Sequence, residues 1–440
     1  MSKVVKFGGS SLASAEQFKK VGNIIRADKE RKYVVPSAPG KRFSDDTKVT
    51  DMLYACYDLA DQGKNFKAEL DAIKARYQEI IDGLQLDLDL VDEFKTIEKN
   101  FKAKAGSNYA ASRGEYLNGI IMANYLGYDF IDAATVIFFD ENGEFDAAKT
   151  NEVLRARLAE SKEAVVPGFY GAMPDGTVKT FSRGGSDITG SIVAKAAKAD
   201  VYENWTDVSG ILMADPRIVE NPRPIERITY NELRELSYMG AQVLHEASVF
   251  PVRQADIPLN IRNTNDPGHP GTLIREHFED ELESEKNRFI TGIAGRRNFS
   301  IITMAKNGLS SSIGSLRRVL EVFERHNLNV EYTPSGIDSV SLVVQSGKAA
   351  SCLYSILGEL QKEFRPDKLQ VAENISIVAA VGRKMAFRPG ISGKIFAALG
   401  ENGISIRMIS QGPEELNIIV GVDNADFEKT VRVLYESFVR

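Results

Sequence analysis

Short apolar runs of strand length alternate with helical stretches through the chain up to about residue 285, and this alternation limits the fold more than any other feature. The short runs are Val4 to Phe7, Tyr33 to Pro36, Phe130 to Asp132, Ala164 to Gly168 and Asp200 to Glu203. Between them Phe18, Val21, Ile24 and Ile25, and later Phe66, Leu70, Ile73, Tyr77, Ile80, Ile81 and Leu84, step by three and four, the spacing of amphipathic helices. Strands separated by helices build a largely parallel sheet covered on both faces, and ligands then bind beyond the carboxyl ends of the strands. With 440 residues, 43% of them hydrophobic, the chain has apolar surface for several domains and is not a disordered polymer.

Charge and cysteine content narrow the class further. The 55 Lys plus Arg against 61 Asp plus Glu give a net charge of −6, and no basic block occurs, which argues against a nucleic-acid backbone as partner. Cys56 and Cys352 lie far apart with no CxxC, so neither a disulfide set nor a structural zinc is expected. No apolar run approaches the roughly 18 residues needed to cross a membrane. The start, Met1 to Phe7, is too short for the apolar core of a secretion signal, and the cytoplasm is the expected compartment.

Arg275 to Arg288 is crowded with charge and marks a domain boundary. Beyond it two units share the order strand, helix, strand, strand, helix. The first runs from Phe299 to Met304, a helix near Gly314 to His326, strands at Leu328 to Tyr332 and Ser339 to Val344, a helix near Ala349 to Phe364 and a strand near Leu369 to Ala372. The second runs from Ile375 to Val381 through Ile391 to Asn402, Ile404 to Ile409 and Leu416 to Val422 to a helix near Ala425 to Val439, and lacks a last strand. The run Phe289 to Ala294 is expected to supply it. The expected domains are therefore 1–285, an inserted unit 299–372, and a unit made of 289–294 plus 375–440.

Four polar motifs fall at strand ends or helix starts. Lys6-Phe7-Gly8-Gly9-Ser10-Ser11 joins a strand to a helix, and its glycines allow a phosphate to approach backbone N–H groups beside a lysine charge. It matches neither GxxxxGK[ST] nor GxGxxG, and alone is as well read as an ordinary turn. Phe181-Ser182-Arg183-Gly184-Gly185-Ser186-Asp187 is a second glycine turn entering a helix, with Arg183 able to fork onto a carboxylate or phosphate and Asp187 able to hold an ammonium or a metal. Ser112-Arg113-Gly114-Glu115 reads by itself as a capping box before a helix from Leu117 to Leu126. Trp205-Thr206-Asp207-Val208-Ser209-Gly210, followed by Ala214-Asp215-Pro216-Arg217, suits the floor of a nucleotide site or a plain Asp-Pro turn. The polar stretch Lys41 to Lys48 reads as a mobile loop.

In this order the motifs, with Gly168 to Gly171 and Met239 to His245, resemble the aspartate kinases of the amino-acid kinase superfamily, and the tandem units resemble their pair of ACT domains. The resemblance covers the whole chain. It implies a three-layer αβα domain with a largely parallel sheet, followed by two ferredoxin-like units. It further implies transfer of the ATP γ-phosphoryl group to the β-carboxylate of L-aspartate, giving 4-phospho-L-aspartate, the entry to lysine, threonine and methionine. By the same resemblance Lys6 neutralises the transferring phosphate, with Gly8, Gly9 and Ser10 donating backbone N–H groups. Arg183 clamps the substrate α-carboxylate, Glu115 and Asp187 hold its ammonium, and Thr50, Phe169 and Ser186 line the pocket. Thr206, Asp207, Arg217 and Gln242 fall on the nucleotide side. Mg2+ is expected as counter-charge, with no protein ligand assigned.

The sequence departs from that family at the extra residues Lys41 to Lys48, at Leu212 where many members have tyrosine, at Gln242 where many have lysine, and at Glu246 after His245 where proline is usual. An amino-acid effector, lysine ahead of threonine, is expected near Glu331, Asp338 and Ser339. Assembly as a homodimer or a dimer of dimers is expected through the tandem units. The alternatives are a catalytically weak amino-acid sensor and a kinase of another acidic amino acid.

Overall fold

Gly8 and Gly9 end the first apolar run and with it β1 (Lys3–Phe7). The computed structural model describes residues 1–182, 184–241, 244, 246–279, 289–383, 385, 389–412 and 416–439. After β1 comes α1 (Ala15–Arg26), whose first turn is capped by the Ser14 hydroxyl accepting from the Gln17 amide. Then follow β2 (Arg31–Pro36), α2 (Val49–Asp61), α3 (Lys67–Leu84), α4 (Val91–Lys102) and α5 (Ser107–Leu126). The next elements are β3 (Asp129–Phe130), α6 (Ala147–Ala159), β4 (Ala164–Val165), the hairpin β5 (Tyr170–Ala172) and β6 (Val178–Thr180), α7 (Gly185–Ala197) and β7 (Val201–Thr206). Five short strands and two helices follow: β8 (Ile211–Leu212), β9 (Pro224–Ile225), β10 (Arg227–Thr229), the helices Tyr230–Tyr238 and Glu246–Gln254, β11 (Leu259–Asn263) and β12 (Thr272–Arg275).

The described chain divides into two compact units, one of Met1–Ile211, Pro224–Tyr230 and Val243–Phe278, the other of Leu212–Arg223, Asn231–Gln242 and Glu279–Arg440. Segments 212–223 and 231–242, expected within the first domain, thus cluster with the second. They are tied there by main-chain and buried polar contacts: the Ile293 amide donates to the Met213 carbonyl at 2.7 Å, and the fully buried Glu232 takes Thr291 and Arg383.

The first unit is built on an eight-stranded sheet of order β10-β12-β11-β7-β1-β2-β4-β3. Every pairing in it is parallel except β11 with β12. This is the mostly parallel sheet that alternating strands and helices imply. Val5 and Phe7 join a core cluster with Phe18 of α1, Leu53 of α2, Tyr77 of α3, Phe101 of α4 and Leu117 of α5. Strand alternation turns Val4 and Lys6 to the other face, against which α7 packs. The central strand β1 therefore delivers a lysine to the side where α7 begins.

The second unit is one antiparallel sheet of five strands, order β14-β13-β15-β17-β16. Its strands are β13 (Gly292–Ala305), β14 (Ser339–Gln345), β15 (Lys368–Val381), β16 (Ile406–Ser410) and β17 (Asn417–Asp423), with helices Ser315–Arg325, Leu353–Phe364, Ile391–Glu401 and Phe427–Phe438 between and after them. The runs read from sequence as separate strands are fused: β13 and β15 each continue for 14 residues. Asn298 (φ 69°) and Asn374 (φ 60°) sit beside the register shifts, where a left-handed asparagine lets the strand bulge and continue rather than end. Gly292 to Arg296 pair with Val381 to Ile377, while Phe299 to Ala305 pair with β14 on one side and with the first half of β15 on the other. The strand expected at Leu328 to Tyr332 reduces to an isolated bridge between Tyr332 and Val343, with Pro334, which cannot donate to a ladder, just beyond it.

Candidate active site

Lys6 lies one residue from the end of β1, is 7% exposed, and places Nζ 2.7 Å from Asp187 Oδ1 in the first turn of α7. The two glycine-rich motifs, distant in sequence, are brought together by that ion pair. Asn204, the neighbour of Lys6 across the β1–β7 ladder, donates its side-chain amide to the same Oδ1 at 2.9 Å. Sequence reasoning missed Asn204. The available signal was a polar residue within a strand whose neighbours Tyr202, Glu203 and Trp205 are all buried.

Glu115 belongs to the same cluster. It lies inside α5, which starts at Ser107, so Ser112 is not a helix cap and the capping-box reading is overturned. The Ser112 hydroxyl instead donates to the Tyr109 carbonyl one turn back, and the helix runs unbroken through the buried Ala110 and Ala111. Burial pushes the Glu115 carboxyl up to about 8, against the opposing pull of the Ala38 amide, the Lys6 ammonium and the Ser186 hydroxyl. Its Oε2 is buried with no hydrogen-bond partner. An orphaned carboxyl oxygen beside a lysine and a serine fits a ligand that brings its own N–H donors.

Around this cluster the backbone approaches closely. A Cβ on Gly168 would lie 2.6 Å from Ser186 Oγ, and one on Gly185 would lie 2.3 Å from the Phe169 ring. Phe169 adopts φ 81°, unusual for a residue with a side chain, and its amide donates to Thr189 Oγ1 at 3.0 Å. Strain of this kind is held in place by surrounding structure and gathers at functional sites. Thr50 stands in the first turn of α2, its Oγ1 3.7 Å from where a Cβ on Gly114 would be. Lys6, Glu115, Ser186 and Asp187 therefore converge, with Gly168, Phe169 and Thr50 placed around them.

The first glycine turn contributes differently from expectation. The Gly8 amide donates to the Trp205 carbonyl at 3.0 Å, extending the β1–β7 ladder by one bond. What Gly8 supplies is room: a Cβ there would meet nothing nearer than Lys6 Nζ at 3.6 Å. Gly9 and Ser10 open a single 3-10 turn, Gly9–Leu12, rather than α1 itself. Thr206 ends β7, and its hydroxyl donates to Asp207 Oδ1 at 3.2 Å, at the carboxyl edge where a ligand is expected. Arg217 belongs to the second unit, where it forks onto Asp215 with a closest approach of 2.6 Å. Arg183 and Gln242 lie outside the described residues.

In the second unit the Glu331 carboxylate is held by the Tyr238 hydroxyl and by Arg296 Nη1 at 3.2 Å. Asp338 Oδ1 accepts from the Gly308 amide at 2.8 Å, and the Ser339 carbonyl accepts from Gly336 at 2.8 Å. Among the described residues no group of three or more His, Cys, Asp or Glu is placed to hold a metal ion, and no helix is long and apolar enough to cross a membrane.

The amino acid kinase family model matches residues 1–263, and an ACT domain model matches residues 378–438. Bacillus subtilis aspartokinase 3 is 36% identical over 99% of this chain and 98% of its own length. The crystal structure of Clostridium acetobutylicum aspartate kinase is 50% identical, covers 99% of each chain and superposes with a TM-score of 0.91. Escherichia coli aspartokinase III, 27% identical with both chains fully covered, gives TM-scores of 0.75 in its complex with aspartate and ADP and 0.74 in its complex with lysine and aspartate. A buried lysine, an orphaned carboxyl and a strained pocket wall at the carboxyl edge of a parallel sheet agree with these likenesses: the chain belongs to the amino acid kinase family and, within it, to the aspartokinases, phosphotransferases whose acceptor is a carboxyl group of aspartate.

Proposed function

We propose that the protein transfers the γ-phosphoryl group of ATP to the β-carboxylate of L-aspartate as the first step toward lysine, threonine and methionine, and that lysine restrains it through the tandem ACT units. The observation that carries this reading is the 2.7 Å approach of Lys6 to Asp187, which joins the two glycine-rich motifs. Phosphoryl transfer asks for position and charge neutralisation more than for covalent chemistry. Lys6 stands against charge on the transferring group, and the Gly9 and Ser10 amides are proposed to donate to the phosphates. Asp187 and Asn204 aim the lysine. Glu115, with its unpartnered oxygen, and Asp187 receive the substrate ammonium, while Arg183 takes the α-carboxylate and Ser186, Thr50 and Phe169 fix the acceptor. Thr206 and Asp207 serve the nucleotide. Magnesium supplies counter-charge to the phosphates when bound, and because the described residues offer no cage for it, most of its ligands come from the nucleotide and water.

The lysine complex of the E. coli relative supports an amino-acid effector here. With Glu331 taken by Tyr238 and Arg296, the Asp338 and Ser339 loop is the better candidate for effector contact. Subunits are proposed to pair through the ACT sheets, and the compartment to be the cytoplasm. A coupled ADP-release assay with aspartate, glutamate and acetylglutamate, with acyl phosphate trapped as hydroxamate, tests the reaction. Aspartate is expected to be the preferred acceptor and Lys6→Ala to abolish turnover. Preference for another acceptor, or full turnover by the lysine variant, would refute the assignment.

A further inference from the structure

The stretch from Lys41 to Lys48, expected as a mobile loop, is clasped to α3. Arg42 Nε and Nη2 fork onto Asp46 at 2.9 and 3.0 Å, and Arg42 Nη1 reaches Glu79 at 2.8 Å. Asp46 also meets Arg76 Nη2 at 3.3 Å. Arg76 is 4% exposed, and its Nε and Nη1 have no hydrogen-bond partner, although Nη1 lies 3.9 Å from Glu79 Oε2 in a looser ion pair. A buried guanidinium held this incompletely is an expensive way to fill space, and an apolar side chain of similar size would pack there at less cost. What the guanidinium adds is a hydrogen bond from Nη2 to the Gly40 carbonyl at 3.1 Å.

Gly40 backs the Gly9–Ser10 turn. Its amide donates to the Gly9 carbonyl at 2.8 Å, and a Cβ on it would lie 2.6 Å from Gly9 C and 2.8 Å from Ser10 N. These are backbone contacts with no flexible side chain between them, so a shift of Gly40 passes directly to Gly9 and Ser10. The same stretch ends at Lys48, which precedes α2 and its Thr50.

We propose that Arg76 is a positioning residue for the nucleotide, acting with Asp46 and Arg42 through the Gly40 carbonyl to fix the Gly9–Ser10 turn. This rests on the reaction proposed above. The Asp46 carboxyl is held well below the usual carboxylate range, chiefly by its hydrogen bond from Arg42, so the clasp stays charged at neutral pH.

The test uses the full chain with Arg76→Met, Arg76→Lys and Asp46→Asn, and reads kcat, KM for each substrate, affinity for the non-hydrolysable analogue AMP-PNP, and Tm. Arg76→Met is expected to lower both kcat/KM for ATP and AMP-PNP affinity about tenfold, with KM for aspartate changed less than about twofold. Arg76→Lys, which keeps a donor for the Gly40 carbonyl, is expected to recover most of that loss. Asp46→Asn, at a side chain about 10% exposed, is expected to move the ATP values in the same direction by a few-fold, with Tm read beside them to separate loss of fold from loss of nucleotide affinity. Wild-type ATP parameters in Arg76→Met or Asp46→Asn would overturn the proposal, as would equal losses for ATP and aspartate that follow Tm and are not rescued by lysine. A parent protein without turnover on aspartate would refute the reaction instead, while AMP-PNP affinity across the variants would still decide on the clasp.

Discussion

At pH 7 a carboxyl with a pKa of about 8 holds its proton most of the time, and Glu115 is such a group because burial denies its charge the water it needs. A substrate ammonium set against it favours the ionised form, so aspartate binding at neutral pH is expected to expel up to about one proton. Calorimetry in two buffers of different ionisation enthalpy measures this directly, and buffer-independent heats would contradict the role given to Glu115. The same group bends stability with pH. Its pKa in the unfolded chain is 4.5, so between that value and about 8 the folded chain holds a proton that the unfolded chain has released, and raising the pH through this window withdraws stability. Glu115→Gln is expected to lose the slope, with a smaller fall in Tm than the parent between about pH 6 and about pH 9. Lys6 and Asp187 stand in glycine-rich motifs that can be picked out of the sequence, whereas Glu115 read by itself as part of a capping box and entered the site only through the family resemblance. Asn204 and Arg76 were not legible there, since one acts through strand register and the other through a helix packed under a loop, and neither sits in a motif.

The elements meet at turns, and the turn after β2 meets the turn after β1 through backbone alone. Gly40→Ala would place a methyl group 2.6 Å from one backbone atom of Gly9, and something must move. The expected result is a loss of about a hundredfold in kcat/KM for ATP with a Tm drop of only a few degrees, read by steady-state kinetics and thermal unfolding. A variant with parental kinetics would mean that the two turns tolerate separation. Most strands and helices followed from hydrophobic spacing, whose physical cause, burial of one face, operates along a single element. The start of α5 was misread because Ser112 and Glu115 have the spacing of a cap, and the local pattern cannot register that Ala110 and Ala111 before them are buried as helix. The fusion of β13 was equally hidden, since Arg296 to Asn298 look like a turn and become one only if no neighbouring strand is there to carry them on.

For the whole molecule, feedback requires that an effector bind two states unequally. Lysine at millimolar concentration is expected to lower aspartate-dependent turnover and to raise Tm, with threonine weaker, as read by the coupled assay and by thermal unfolding with each amino acid. Turnover and Tm that ignore both, singly and mixed, would remove the regulatory reading. The division into a parallel-sheet unit and a tandem antiparallel unit was legible from the change in pattern after residue 285, but the assignment of 212–223 and 231–242 to the second unit was not. Those segments are joined to it by single contacts such as that of Ile293 with Met213, which leave no periodic trace. Because β13 and β15 each serve both halves of the five-stranded sheet, neither half has a complete set of strands of its own. An engineer who wished to graft one half onto another enzyme, or a lineage that discarded one, would inherit torn sheet edges prone to aggregation, so the tail can be borrowed, swapped or lost only as a pair.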